Sequence, residues 1–137
     1  MNQANGDGAL AGFKVVDLSR VLGGPLCTQL LGDHGADVIK VEPPQGDETR
    51  TWGPPERDGE TAYYTGINRN KRSIVLDLKN AACPALLQRL AGTADVLVQN
   101  FRPGVMERLG EEGIRGCFDL GIHQAHIDTI FQRVFQD

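Results

Sequence analysis

The chain has 137 residues, is 40% hydrophobic, and carries 14 Lys and Arg against 18 Asp and Glu, a formal charge of −4. That is the size of one ordinary domain with enough apolar material for a core. It has no basic excess with which to displace counterions, which argues against sequence-independent nucleic-acid binding.

Residues 1–12 are polar and Gly-rich and read as a flexible N-terminus, without the basic and apolar regions of a signal peptide or the Arg-rich pattern of a transit peptide. Phe13 to Leu18 is a short, nearly all-apolar run, as expected of a strand buried on both faces. Ser19 to Gly24 reads as a loop, and Pro25 suits the first turn of a helix. That helix is expected to present Leu26, Leu30 and Leu31 on one face and to stop at Gly32 or Gly35. Ala36 to Val41 is a second strand, ended by Glu42-Pro43-Pro44 because proline cannot continue a ladder. Strand, helix and strand within about 30 residues form a βαβ unit, so the two strands should be parallel.

Residues 43–68 form a long Pro-, Gly- and charge-rich loop, with an ordered segment beginning at Tyr63 and Tyr64. Loops of that length inside a compact domain are usually functional or mobile. Asn68-Arg69-Asn70-Lys71-Arg72 then places three cations directly ahead of a third strand, Ser73 to Leu78. From Arg69 to Lys79 there are four cations and one anion, a local +3 in an acidic chain. Open α/β sheets receive anionic ligands at strand mouths, so this run is a candidate for one, against the plainer reading of a solvated turn. Ala81 to Ala91 is a helix with Pro84 in its first turn, and Asp95 to Gln99 is a fourth strand. Pro103 opens a short helix bearing Val105, Met106 and Leu109. Beyond Gly110 the pattern weakens, although Ile127, Ile130, Phe131 and Val134 keep helical spacing.

Gly23-Gly24 at the end of the first strand lets backbone approach a ligand, and the helix after it offers free N–H groups to an anion. Glu42, 19 residues past Gly23, stands near the spacing of a ribose-binding acid, but the third glycine of a dinucleotide fingerprint is missing. Lys40 sits at the carboxyl end of the second strand, within reach of a phosphate or simply of solvent. Asn100 can donate and accept in one plane, and Phe101 offers a flat apolar face. Cys27, Cys83 and Cys117 are odd in number and contain no Cys-x-x-Cys pair, which argues against a disulfide framework or zinc site and for a reducing, cytoplasmic setting. Cys27 among leucines reads as a small buried hydrophobe. His34 suits a helix end, and His123 and His126 lack a third metal ligand, so no metal is expected. No apolar stretch reaches membrane-spanning length, so no membrane partner is expected.

Taken in order, Lys14-Val15-Val16-Asp17-Leu18-Ser19-Arg20 with Gly23-Gly24-Pro25, then Gly32-Asp33-His34-Gly35-Ala36-Asp37-Val38-Ile39-Lys40-Val41-Glu42, then the Asn68 to Leu78 run and Asn100-Phe101-Arg102-Pro103-Gly104, resemble the family III CoA transferases. That group includes the formyl-CoA and carnitine CoA-transferases and the 2-methylacyl-CoA racemases, and the resemblance covers about residues 10 to 110. It implies an α/β fold with a Rossmann-like parallel sheet. Residues 13–110 would then be the N-terminal part of a larger two-domain enzyme, with 111–137 a tail departing from the family pattern. It also implies coenzyme A as substrate, with no separate cofactor. Val21 and Leu22 match positions whose backbone lines the CoA site. Lys40, Leu76, Lys79, Asn100, Phe101 and Arg108 match positions beside its phosphates, adenine or pantetheine arm. Lys71 and Arg72 are expected as supporting cations, one of them neutralising Glu42 or Asp77. Trp52-Gly53-Pro54-Pro55 resembles the branch acting on dicarboxylic acyl groups, where Arg50 or Arg57 would pair a distal carboxylate. The family nucleophile is an aspartate downstream of every matched motif, so no catalytic residue is named. Transfer through an aspartyl-CoA thioester is expected of the full-length homodimeric enzyme but not of this chain alone. The alternatives are a racemase-like enzyme, whose acid/base pair would also lie downstream, or a non-catalytic CoA-binding remnant.

Overall fold

The computed structural model describes residues 8–54, 56–102 and 104–108, apart from the side chains of Arg57, Glu107 and Arg108. In chain order it contains β1 (Lys14–Asp17), α1 (Gly23–Asp33), β2 (Asp37–Glu42), a 3-10 turn (Glu48–Thr51), β3 (Glu56–Arg57), β4 (Glu60–Thr61), α2 (Ala62–Ile67), β5 (Lys71–Val75), α3 (Cys83–Ala91), β6 (Val96–Val98) and α4 (Val105–Arg108).

Four strands form one parallel sheet in the order β5-β2-β1-β6. Val15 pairs with Val38 on one side and Val96 on the other, and Lys40 pairs with Ser73. The chain therefore builds outward from β1 to β2 and β5, then returns to place β6 on β1's other edge. That reversal is a topological switch point, and the crevice beyond the carboxyl ends of the two strands is where such sheets bind ligands. The expected parallel α/β sheet is present.

Strand alternation sends Val15 and Val16 to opposite faces. Val16, Leu18 and Val41 pack with Leu87 and Leu90 of α3, while Val15, Ala36 and Val38 pack with Leu10, Phe13 and Leu31. The sheet is thus covered on both sides, which is why β1 reads as a continuous apolar run.

Several expectations shift. Of the α1 leucines, Leu31 packs inward, but Leu26 and Leu30 are 41% and 50% exposed, and Cys27 is exposed too. The buried side of α1 is Pro25, Thr28, Gln29 and Gly32. The cause is polar: Thr28 must face the sheet to donate its hydroxyl to Asp17, at 2.7 Å. The third strand begins at Lys71 rather than Ser73 and stops at Val75. Leu76 still donates its N–H to the Glu42 carbonyl at 2.8 Å, after which Asp77 turns the chain by accepting from the Lys79 N–H at 3.0 Å. Leu76 to Leu78 therefore swing off the sheet.

The long loop is organised rather than open. Asp58 and Gly59, both with positive φ, make the two-residue turn of the β3–β4 hairpin. Thr61 caps α2 by accepting from the Tyr64 N–H and donates its hydroxyl to the Thr49 carbonyl at 2.7 Å. Residues 111–137, with the helical pattern expected from Ile127 to Val134, lie outside the described residues.

Candidate functional site

The carboxyl ends of β1, β2 and β6 open into a cleft of about 790 Å3. Its floor is apolar: Leu18 and Val41 from the strand ends, Leu76 and Leu78 from the segment that leaves β5, and Phe101 past β6. Pro43, Pro44 and Gln45 form one wall, and Arg20, Lys79 and Arg102 bring three cations to the rim.

Those three cations differ from the ones bound up within the fold. Among the described residues, five other Lys and Arg side chains are held by carboxylates. Lys40 pairs with Asp47 at 3.0 Å, Arg50 with Glu42 at 2.8 Å, Arg69 with Asp33 at 2.5 Å, Lys71 with Asp17 at 3.0 Å, and Arg72 with Asp37 at 2.6 Å. Arg20, Lys79 and Arg102 are exposed and have no carboxylate partner there. A pocket with an apolar floor and unneutralised cations at its edge suits a ligand with an apolar body and anionic groups.

The cation run before β5 is therefore corrected. It stands at the strand's amino end, away from the cleft, and its charges are consumed by Asp33, Asp17 and Asp37. Neither Lys71 nor Arg72 neutralises Glu42 or Asp77. The Lys71 side chain is 2% exposed, and its ammonium also donates to the Pro25 carbonyl at 2.7 Å and Asn68 Oδ1 at 2.9 Å. Burial pulls that ammonium below its usual range, although Asp17 works the other way. For Asp17, burial opposes the charge, but Lys71 and the hydroxyls of Ser19 and Thr28 outweigh it and hold the carboxyl low.

Lys40 is also accounted for within the protein. It is 1% exposed, and its Nζ is divided between Asp47 and the Ser19 carbonyl, which accepts at 2.9 Å. A lysine inside a buried central strand has no route to solvent, so it takes an internal acid instead. It does not line the cleft.

Glu42 is the hub of the second buried network. Its Oε1 accepts from Arg50 Nη2 at 2.8 Å, Tyr64 Oη at 2.7 Å and Ser73 Oγ at 2.6 Å, while Oε2 accepts from Arg50 Nε and the Asp47 N–H, both at 2.8 Å. Burial alone would raise the Glu42 carboxyl, but these donors, Arg50 first, hold it far below the ordinary carboxylate range. Burial and the adjacent carboxylate push Tyr64 well up. Arg50 also donates to Glu60 at 2.6 Å and lies 3.8 Å above the Tyr64 ring. It is thus committed to the fold, not free to pair a substrate's distal carboxylate as expected. The Arg57 side chain lies outside the described residues.

Of the expected site residues, Leu76, Lys79 and Phe101 come together in the cleft. Val21 and Leu22 stand next to it, beside the lining residue Arg20. Val21 has φ 73°, an outlier for a β-branched residue and the kind of local strain that collects at functional loops. Asn100 sits at the same edge, bonded to the main chain of Arg20. Arg108 ends α4, with its side chain outside the described residues. Arg20, Arg102 and the Pro43–Gln45 wall were not singled out from sequence. Their signal was position, since each lies in the loop that leaves a strand's carboxyl end.

The family model for CoA-transferase family III matches residues 10–113. The chain is 49% identical over 102 residues to human succinyl-CoA:glutarate CoA-transferase, covering 74% of this chain and 23% of that protein. It is 52% identical over 108 residues to the succinate–glutarate CoA-transferase of Agrobacterium fabrum, covering 74% and 27%. Among solved structures it matches a CAIB/BAIF family protein from Brucella suis at 46% identity and TM-score 0.73, covering 79% of this chain and 30% of that one. The chain thus spans about a quarter of the length of the curated relatives it matches. It belongs to CoA-transferase family III, whose N-terminal part it carries.

Proposed function

We propose that this chain forms the coenzyme A-binding part of an enzyme that moves CoA between carboxylic acids, dicarboxylates among them. The observation that supports this most is the cleft at the switch point, with its apolar floor and three rim cations that have no carboxylate partner among the described residues. Coenzyme A matches that pattern: phosphates for Arg20, Lys79 and Arg102, and a flat adenine and thin pantetheine arm for Leu76, Leu78 and Phe101. Coenzyme A enters as substrate, with no separate cofactor.

In the transfer we propose for the whole enzyme, an enzyme carboxylate attacks the acyl-CoA thioester, expelling CoA as thiolate and forming a mixed anhydride between that carboxylate and the acyl group. The thiolate then attacks the enzyme-side carbonyl, releasing the donor acid and leaving an enzyme thioester. The acceptor carboxylate reverses these steps to take the CoA. This chain's residues bind and orient CoA. Asp17 is buried and paired with Lys71, so it is not free to attack, while Asp77 lines the cleft and holds the turn before Lys79 with one carboxylate oxygen.

Titrating the 137-residue chain with coenzyme A, 3′,5′-ADP and pantetheine tests the reading. Coenzyme A should bind most tightly and pantetheine at least tenfold more weakly. Equal affinity for pantetheine and coenzyme A, or no binding of either, would refute the cation-rimmed site. With succinyl-CoA and a panel of dicarboxylates the chain should show no turnover. Steady product formation would refute the separate nucleophile.

A further inference from the structure

We propose that Asn100 is a positioning residue: its side-chain amide fixes the Ser19–Leu22 loop, and with it the cleft wall that carries Arg20, instead of touching the ligand. Its Oδ1 accepts from the Arg20 N–H at 3.0 Å, and its Nδ2 donates to the Arg20 carbonyl at 2.8 Å. The last backbone pairing of β1 with β6 matches Asp17 with Val98, followed by the Leu18 N–H donating to the Val98 carbonyl at 2.8 Å. Past that point the backbones part to open the crevice. Asn100 spans the gap, offering Arg20 one acceptor and one donor as a neighbouring strand would.

The requirement for an amide is specific. Both functions must come from one planar group, which aspartate, serine and alanine lack. The loop needs such a hold because Val21, the next residue, has φ 73°, a region disfavoured for a β-branched side chain. Among the described residues, no other side chain hydrogen-bonds the main chain of Arg20 or Val21. Phe101 and Arg102 line the cleft, whereas Asn100, exposed at its edge, does not.

This inference rests on the coenzyme A reading only for its second readout. The first is backbone 15N relaxation on the ligand-free chain, comparing wild type, Asn100→Ala and Asn100→Asp. Wild-type Val21 and Leu22 should have order parameters near the rigid value of about 0.85. They should fall below about 0.6 in Asn100→Ala and lie between in Asn100→Asp, which keeps the acceptor for the Arg20 N–H. Val15 and Val16 should be unchanged. The second readout is coenzyme A affinity, expected to weaken about tenfold in Asn100→Ala. Lost affinity with unchanged loop order would make Asn100 a direct ligand and overturn the proposal, as would a loosened loop with unchanged affinity. If Asn100→Ala does not fold, Asn100→Asp carries both measurements. If wild type binds no coenzyme A, the coenzyme A reading fails, and the order parameters alone decide whether Asn100 holds the loop.

Discussion

Lys71 Nζ lies 3.0 Å from Asp17 Oδ2, joining the first residue of the edge strand β5 to the last residue of β1 across 54 positions of sequence. Both side chains are essentially removed from water, at 2% and 0% exposure. The pair does not line the cleft. Asp17 also accepts from the Ser19 N–H at 2.9 Å and from the Ser19 hydroxyl, and so sets where the Ser19–Leu22 loop leaves β1.

Breaking such a pair from one side leaves a buried charge unmatched, which costs about 3–5 kcal/mol. Lys71→Met should therefore lower stability in urea unfolding by about 3 kcal/mol, and Asp17→Asn by a similar amount. The double variant should cost less than the sum, because neither charge is then orphaned. Additive losses would show that the two side chains act independently, and a change within about 0.5 kcal/mol would place Lys71 with ordinary surface residues.

Stability should also depend on pH in one direction. Glu42, Asp17 and Asp47 are held below their ordinary values, near 4.5 for Glu and 3.8 for Asp. A carboxyl depressed in the folded state binds its proton more readily when unfolded. Its contribution is complete above the unfolded value and is lost as pH falls toward the folded one. The urea midpoint should be flat from pH 7 to about 5 and fall steadily below about 4.5. Glu42→Gln should be less stable at pH 7 yet show a shallower acid slope, since its largest titrating contribution is gone. A variant slope equal to wild type would remove Glu42 from this account.

The sheet was legible because its signals are local. Val15-Val16 marks a strand covered on both faces, Pro84 marks a helix start, and Pro43-Pro44 marks the end of β2. The fate of the cations was not legible, because the partners of Lys71 and Arg72 stand 54 and 35 residues away and only folding selects them. Arg50 likewise reads as a free loop cation until β2 supplies Glu42 beneath it. The Asp58-Gly59 pair is itself a two-residue turn signal, masked by the Pro-, Gly- and charge-rich sequence around it. In the cleft, residues flanking strand ends were readable as a set, while the choice among them depended on which cations the fold had already paired.

That choice can be tested by exchanging one lysine on each side of it. Lys79→Gln removes an exposed rim charge with no carboxylate partner among the described residues, so it should weaken coenzyme A binding about three- to tenfold and leave unfolding unchanged within about 0.5 kcal/mol. The loss should shrink as salt rises, because an exposed charge is screened. Lys40→Met should act in the opposite way. It orphans the buried Asp47 carboxylate and should cost about 3 kcal/mol of stability. The folded fraction should bind coenzyme A with little change. Intact stability together with abolished binding in Lys40→Met would restore Lys40 as a ligand.

The polar inner side of α1 gives the last contrast. Leu26 is 41% exposed, whereas Thr28 is fully buried with its hydroxyl on Asp17. By composition alone, replacing leucine should hurt and replacing threonine with the isosteric valine should help. The geometry reverses both expectations. Leu26→Gln removes little packing and should change stability by no more than about 0.5 kcal/mol. Thr28→Val leaves a buried, charged acceptor short of one donor and should cost about 1.5–3 kcal/mol. It should also raise the Asp17 carboxyl, shifting the onset of acid unfolding to higher pH. Urea unfolding of both variants at pH 7 and pH 4 decides the matter. A Leu26→Gln loss larger than that of Thr28→Val would mean that the leucines, not the Asp17 network, seat α1 on the sheet.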